Sequence, residues 1–217
     1  MAHPDRSYLP AAGHDRWLAF YDPMVKLLGA DSARTALLDH ADLQPGHRVL
    51  DIGCGTGTFV SHLKTLYPDV EVVGLDPDPK ALARASRKSQ RGGVSIQLDQ
   101  GFADELPYAD RCFDRVFSCF MFHHLPAAER ESALREVRRV LKPTGRFHLV
   151  DFSTPESHTS GRLSTWLHSG HRLKDNTDER ILGLMRRAGL LDPRRLEARH
   201  LLVGHIAYFQ ASVPASG

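Results

Sequence analysis

At 217 residues with 41% apolar side chains, the chain is long enough for one domain with a substantial core. Its 28 lysines and arginines stand against 26 acids, and a net charge of +2 excludes recruitment of nucleic acid or an anionic membrane by bulk charge. The longest apolar runs fall far short of a membrane span and Met1-Ala2-His3-Pro4-Asp5 has no signal-peptide pattern, so a cytoplasmic location is expected.

Residues 1–13 have no clear period and read as a lead. From His14 to Leu28 the residues Trp17, Leu18, Tyr21, Val25 and Leu28 recur at three- and four-residue steps, an amphipathic helix kinked at Pro23. It is either a helix packed on the side of the domain or a lid that closes over a ligand. Ser32 to His40 predicts a second helix, capped by Asp31 or Ser32, with Leu37 and Leu38 buried. Gln44-Pro45-Gly46 then turns the chain into a short apolar strand, Val49, Leu50 and Ile52.

That strand runs into a turn with glycine at every second position, Gly53, Gly55 and Gly57, and a helix follows from Thr58 to Leu66. Such a turn brings a ligand against main chain, and the helix adds unpaired N–H groups to the same space. A dinucleotide turn has the spacing G-x-G-x-x-G, whereas this one is G-x-G-x-G with Asp51 two residues ahead. The acid stands where a diphosphate would sit, which disfavours an anionic ligand and suits a cationic one.

Pro68 ends the helix, and Val70 to Asp76 predicts the second strand. Asp76 is placed to accept from ribose hydroxyls, with capping of the Pro79–Ser89 helix as its alternative role. Pro77 offers a flat apolar ring to an adenine face. Val94 to Leu98 predicts the third strand and Phe113 to Cys119 the fourth, with His123 and His124 just beyond. Pro126 to Leu141 predicts a strong helix with Ala128, Leu134, Val137, Val140 and Leu141 on its buried side. Glu131, Arg135, Glu136 and Arg139 fall on its solvated side. Lys142-Pro143-Thr144-Gly145 reads as a turn and Arg146 to Asp151 as the fifth strand.

Residues 152–178 are polar and rich in serine, threonine and histidine, a long connection of the kind that often carries function. Asp178 to Ala188 predicts a helix stopped by Gly189, and Leu196–Val203 with His205–Ala211 a closing hairpin near Gly204. Cys54, Cys112 and Cys119 lack paired spacing and are expected as reduced thiols. His168 and His171 stand three apart without a third ligand, so no metal site is expected.

Val49-Leu50-Asp51-Ile52-Gly53-Cys54-Gly55-Thr56-Gly57 resembles the first motif of the class I S-adenosylmethionine (SAM) methyltransferases. Gly101 to Tyr108 resembles the family segment that encloses adenine, with Phe102 where an acid often accepts the adenine amino group. Asp104 or a main-chain carbonyl takes that role, or Phe102 stacks instead. Phe113 to Leu125 resembles the fourth strand and turn of the subgroup that includes the ubiquinone and menaquinone C-methyltransferases. Lys142-Pro143-Thr144-Gly145 is similar to the family's leucine-lysine-proline-glycine-glycine corner, with Thr144 replacing one glycine.

The resemblance implies an α/β, Rossmann-like seven-stranded sheet of order 3-2-1-4-5-7-6, the last strand antiparallel, with helices on both faces. It implies a methyltransferase domain over residues 37–217 after an N-terminal helical lid or extension over 1–36. The implied cofactor is S-adenosyl-L-methionine, held by Asp51, Gly53, Cys54, Gly55, Asp76, Pro77, Phe102, Ala103, Asp104 and the main-chain carbonyl near Cys119. The implied partner is a small-molecule methyl acceptor, aromatic or quinone-like, with no nucleic acid, no membrane span and a homodimer left open. Trp166, His168 and His171 are candidates for the acceptor wall. For a phenol or enol, His124, with His123, His168 and His171 behind it, is the candidate to take or orient the proton. The bland alternative makes His124 a helix-start residue. Two rival functions remain, a SAM-binding pseudo-enzyme or regulatory module and an NAD-dependent oxidoreductase.

Overall fold

The computed structural model describes residues 30–153, 176–201 and 204–214. Helix α1 (Ala30–Asp39) leads into strand β1 (Arg48–Ile52), helix α2 (Thr58–Leu66), strand β2 (Glu71–Asp76), helix α3 (Pro79–Arg91) and strand β3 (Gln97–Gln100). The second half runs through β4 (Phe113–Cys119), a 3₁₀ turn (Phe122–His124), α4 (Ala127–Val140), β5 (Leu141–Phe152), α5 (Asp178–Arg187), β6 (Leu191–Leu201) and β7 (Gly204–Ser212). They form one seven-stranded sheet of order β3-β2-β1-β4-β5-β7-β6. The pairs from β3 to β5 are parallel, and β7 runs antiparallel to both β5 and β6. This is the order that the resemblance implies.

The apolar runs of the strands are explained by cover on both faces. Along β1, Val49 joins a cluster with Ala33 and Leu37 of α1 and Phe59, Val60 and Leu63 of α2. Leu50 points the other way, into a cluster with Leu134 and Val137 of α4 and Ile181 and Met185 of α5. The chain reverses its direction of winding between β1 and β4, so their carboxyl ends leave a crevice there.

Several boundaries differ from expectation for definable reasons. α1 starts at Ala30, so a division at 36/37 falls within a helix whose Ala33, Ala36 and Leu37 are all buried. β3 starts at Gln97 because the Val94 N–H closes the end of α3 on the Ser89 carbonyl. The expected turn at 142–145 is a bulge inside β5. Pairing steps from Phe113 to Arg115 on β4 but from Leu141 to Arg146 on its partner.

On α4, Ala128 is exposed and Arg130 takes its place on the buried side, in phase with Leu134 and Val137. β6 begins at Leu191 rather than Leu196, and Pro193 is tolerated because β6 is an edge strand. Asp78 caps α3 by accepting from the Lys80 N–H, which removes that role from Asp76. The expected helix over His14–Leu28, and Trp166, His168 and His171, lie outside the described residues.

One core position sets a pH limit on stability. His148 of β5 is 0% exposed, stacks on Phe117 and has neither ring nitrogen hydrogen-bonded among the described residues. Burial, reinforced by Arg115, pushes its pKa from 6.5 down to about 3. The unfolded chain therefore binds the proton more readily, and stability falls as pH drops from 6.5 toward 3. His148→Leu is expected to remove that slope and to stabilise the protein at pH 5 by about 1–3 kcal/mol, since it also removes an unsatisfied buried donor. Urea unfolding at neutral pH and at pH 5 measures both effects.

Candidate active site

At the end of β1 the chain turns sharply at Gly53, where φ is 75°. A Cβ there would lie 2.2 Å from Cγ of Met121, so both the conformation and the space require glycine. The Gly53 and Cys54 N–H groups donate to the Leu75 carbonyl at 2.8 and 3.0 Å, which ties the turn to the end of β2. Gly55, with φ 54°, has nothing within 4 Å of where a Cβ would stand, and its N–H donates to Asp76 Oδ2 at 2.8 Å. Asp76 Oδ1 accepts from the Asp78 N–H at 2.9 Å, so the carboxylate is fixed by main chain on both sides.

The turn forms one wall of a cavity of about 350 Å³ over the carboxyl ends of the strands. Asp51, Gly53, Cys54 and Gly55 line it from β1, and Asp76 and Pro77 from β2. Phe102, Ala103 and Asp104 line it beyond β3, and Cys119 and His124 beyond β4. His123 is absent from the lining, while Arg34, Phe120, Met121 and Glu129 join it without having been singled out from the sequence.

The cavity is built for positive charge. Asp51 is 2% exposed, and its Oδ1 takes no hydrogen bond among the described residues. Burial pushes its carboxyl well above the usual range; Arg34 opposes that shift and Asp76 adds to it. Burial also raises Asp76, held back by the N–H groups of Asp78 and Gly55. Two carboxylates that are costly to ionise in one cavity favour a ligand that brings a cation.

Phe120, at the end of β4, has φ 57°, a left-handed conformation uncommon for a bulky side chain. Its N–H donates to the Val150 carbonyl at 2.9 Å and its ring packs against Phe152, which holds it there. The loop after β3 is held from α4. Glu136 accepts from the Leu106 N–H at 2.8 Å, and Arg139 donates to the carbonyls of Leu106 and Tyr108 and to Asp110. These two residues, expected on a solvated face, anchor the loop that carries Phe102 to Asp104.

Residues 49–145 match the profile of a methyltransferase domain family. The matched stretch, which runs from β1 into β5, is similar to methyltransferase domains. The chain is 39% identical over 140 residues to the demethylmenaquinone methyltransferase of Deinococcus radiodurans, covering 64% of this chain and 57% of that protein. The enzyme of the same name from Thermus thermophilus is 38% identical over 144 residues, covering 65% of this chain and 64% of that one. The chain thus spans about three-fifths of the length of these curated relatives. The YcgJ protein of Bacillus subtilis superposes with a TM-score of 0.71 at 22% identity, over 86% of this chain and all of that one, which is a likeness of fold.

The turn after β4 is held from several sides. The His124 N–H donates to the Met121 carbonyl at 2.8 Å, which closes the 3₁₀ turn. His123 donates its N–H to Asp151 Oδ2 at 2.9 Å, and its Nδ1 meets Asp151 Oδ1 at 2.5 Å. The guanidinium of buried Arg130 donates to the carbonyls of Leu125 and His123 at 3.1 and 3.2 Å. Neither Asp151 nor Arg130 was singled out as a site residue from the sequence.

Proposed function

We propose that the protein transfers a methyl group from SAM to a small molecule with a quinone-like, hydroxylated ring. The observation that carries this reading is the buried Asp51 carboxylate, with Oδ1 unengaged among the described residues, on the wall of a cavity that also holds Asp76. A cofactor with an ammonium group and a sulfonium fits that wall. Asp51 holds the ammonium end, and Arg34 lies within reach of the neighbouring carboxylate. Each oxygen of Asp76 accepts one main-chain N–H and keeps a lone pair for a ribose hydroxyl. Pro77, Phe102, Ala103 and Asp104 enclose the adenine, and the Cys119 carbonyl adds an acceptor.

The bound cofactor supplies a methyl group already activated by its sulfonium. The chain has to align a nucleophile with it and exclude water. Phe120, Met121 and Leu125 form an apolar stretch of the lining near His124, suited to a ring. His124 takes or orients the acceptor's hydroxyl proton, which raises the electron density of the ring that receives the methyl group.

The relatives from Deinococcus radiodurans and Thermus thermophilus are named demethylmenaquinone methyltransferases, and this supports a quinone-like acceptor. Among the described residues no helix is long and apolar enough to cross a membrane. The test is incubation with SAM and a short-chain demethylmenaquinol, followed by mass spectrometry. One added methyl group on the ring is expected, and transfer to simple amines but not to the quinol would overturn the acceptor class.

A further inference from the structure

We infer that Asp151, acting through His123, is a positioning residue that fixes the ring of His124 for proton transfer to and from the acceptor. The inference rests on the reading of His124 given above. Asp151 sits near the carboxyl end of β5 with 0% exposure. Its Oδ2 accepts from the His123 N–H at 2.9 Å and its Oδ1 from the Phe152 N–H at 2.7 Å. Both oxygens are therefore already acceptors, and the 2.5 Å contact from Oδ1 to His123 Nδ1 is completed by a proton on that nitrogen. The carboxylate thus selects one tautomer of His123 and one orientation of its ring.

The consequence reaches His124. The two imidazole rings lie 4.0 Å apart between centroids with a 39° tilt, so the fixed ring of His123 is a wall against which His124 rests. The His123 ring also meets Phe152 edge-on at 5.4 Å, a second ring contact that restrains it. Arg130 secures the carbonyls on either side of His124. Of the two histidines only His124 lines the cavity. A side chain that must meet a proton within hydrogen-bond reach needs this kind of support, because a small loss of orientation costs much of the rate.

The test uses the full chain with S-adenosylhomocysteine bound, long-range proton–nitrogen NMR of the histidine rings, and turnover with a short-chain demethylmenaquinol. In the wild type, His123 is expected as a single Nδ1–H tautomer and His124 as one sharp set of signals. In Asp151→Asn the His123 tautomer preference is expected to be lost and the His124 signals to shift. SAM affinity is retained, kcat falls about tenfold or more, and the pH profile of kcat changes. In a His124→Ala background, Asp151→Asn is expected to lower turnover no further.

Unchanged His124 signals in Asp151→Asn would overturn the inference whether or not the quinol is the acceptor. An equal loss from Asp151→Asn with and without His124 would overturn it alone, as a structural effect. Unchanged turnover in His124→Ala would remove the proton role of His124 and this inference with it. If Asp151→Asn does not fold, His123→Phe keeps the ring wall and removes the Nδ1 bond. An unperturbed His124 signal in that variant would likewise overturn the role of the Asp151 contact.

Discussion

Asp51→Asn is expected to weaken SAM binding by about 2–5 kcal/mol, roughly thirtyfold to several thousandfold in Kd, because a buried charge partner of the ligand is lost. The pH dependence of binding carries the same signature. Burial holds the Asp51 carboxyl well above its usual range, and a cationic ligand favours the ionised form. Binding therefore releases a proton, and affinity rises with pH until the carboxyl is already ionised in the free protein. In Asp51→Asn that limb is absent. The substituted free protein is also expected to gain about 0.5–2 kcal/mol of stability at neutral pH. The sign follows from the raised folded pKa, since above the unfolded value the carboxyl ionises more readily in the unfolded chain. Calorimetry across pH, with a thermal melt of the free protein, separates lost recognition from lost folding. Weaker binding together with a lower melting temperature would assign Asp51 to the fold instead.

His124→Ala is expected to lower kcat by about 10²- to 10⁴-fold, the range for a positioned proton acceptor, with SAM affinity nearly unchanged. The expectation comes from placement. His124 lines the cavity beside Met121 and Leu125, beyond the end of β4, while its N–H is spent on the Met121 carbonyl. The main-chain bond survives truncation, so the turn keeps its shape when the imidazole goes. Steady-state turnover alongside SAM titration measures the split. Equal losses in turnover and in SAM affinity would make His124 part of the cofactor site, and no loss in either would leave it a helix-start residue.

The sheet was legible because parallel strands covered on both faces become short apolar runs, as in Val49–Ile52 and Val72–Leu75. The glycine turn was legible because each glycine answers a local demand, with Gly53 pressed against Met121. What was hidden depends on chain returning from far away. Glu136 and Arg139 follow the solvated phase of a helix, and only the arrival of residues 106–110 turns them into anchors. Arg130 bonds to carbonyls, which leave no trace in the residue types they come from. Asp151 reads as the last residue of a strand until His123 meets it. Phe120 has a backbone angle its side chain gives no reason to expect. β6 was shortened because an exposed edge strand lacks the apolar alternation that marks a half-buried one.

The central claim is that the acid at the end of β1 and the glycine turn beside it receive a positively charged methyl donor. Calorimetric titration of the folded protein with SAM, with S-adenosylhomocysteine and with NAD tests this most directly. Saturable binding of the first two, strengthening as pH rises, and none of the third is the expected result. Binding of NAD with no uptake of SAM or its demethylated product would contradict it.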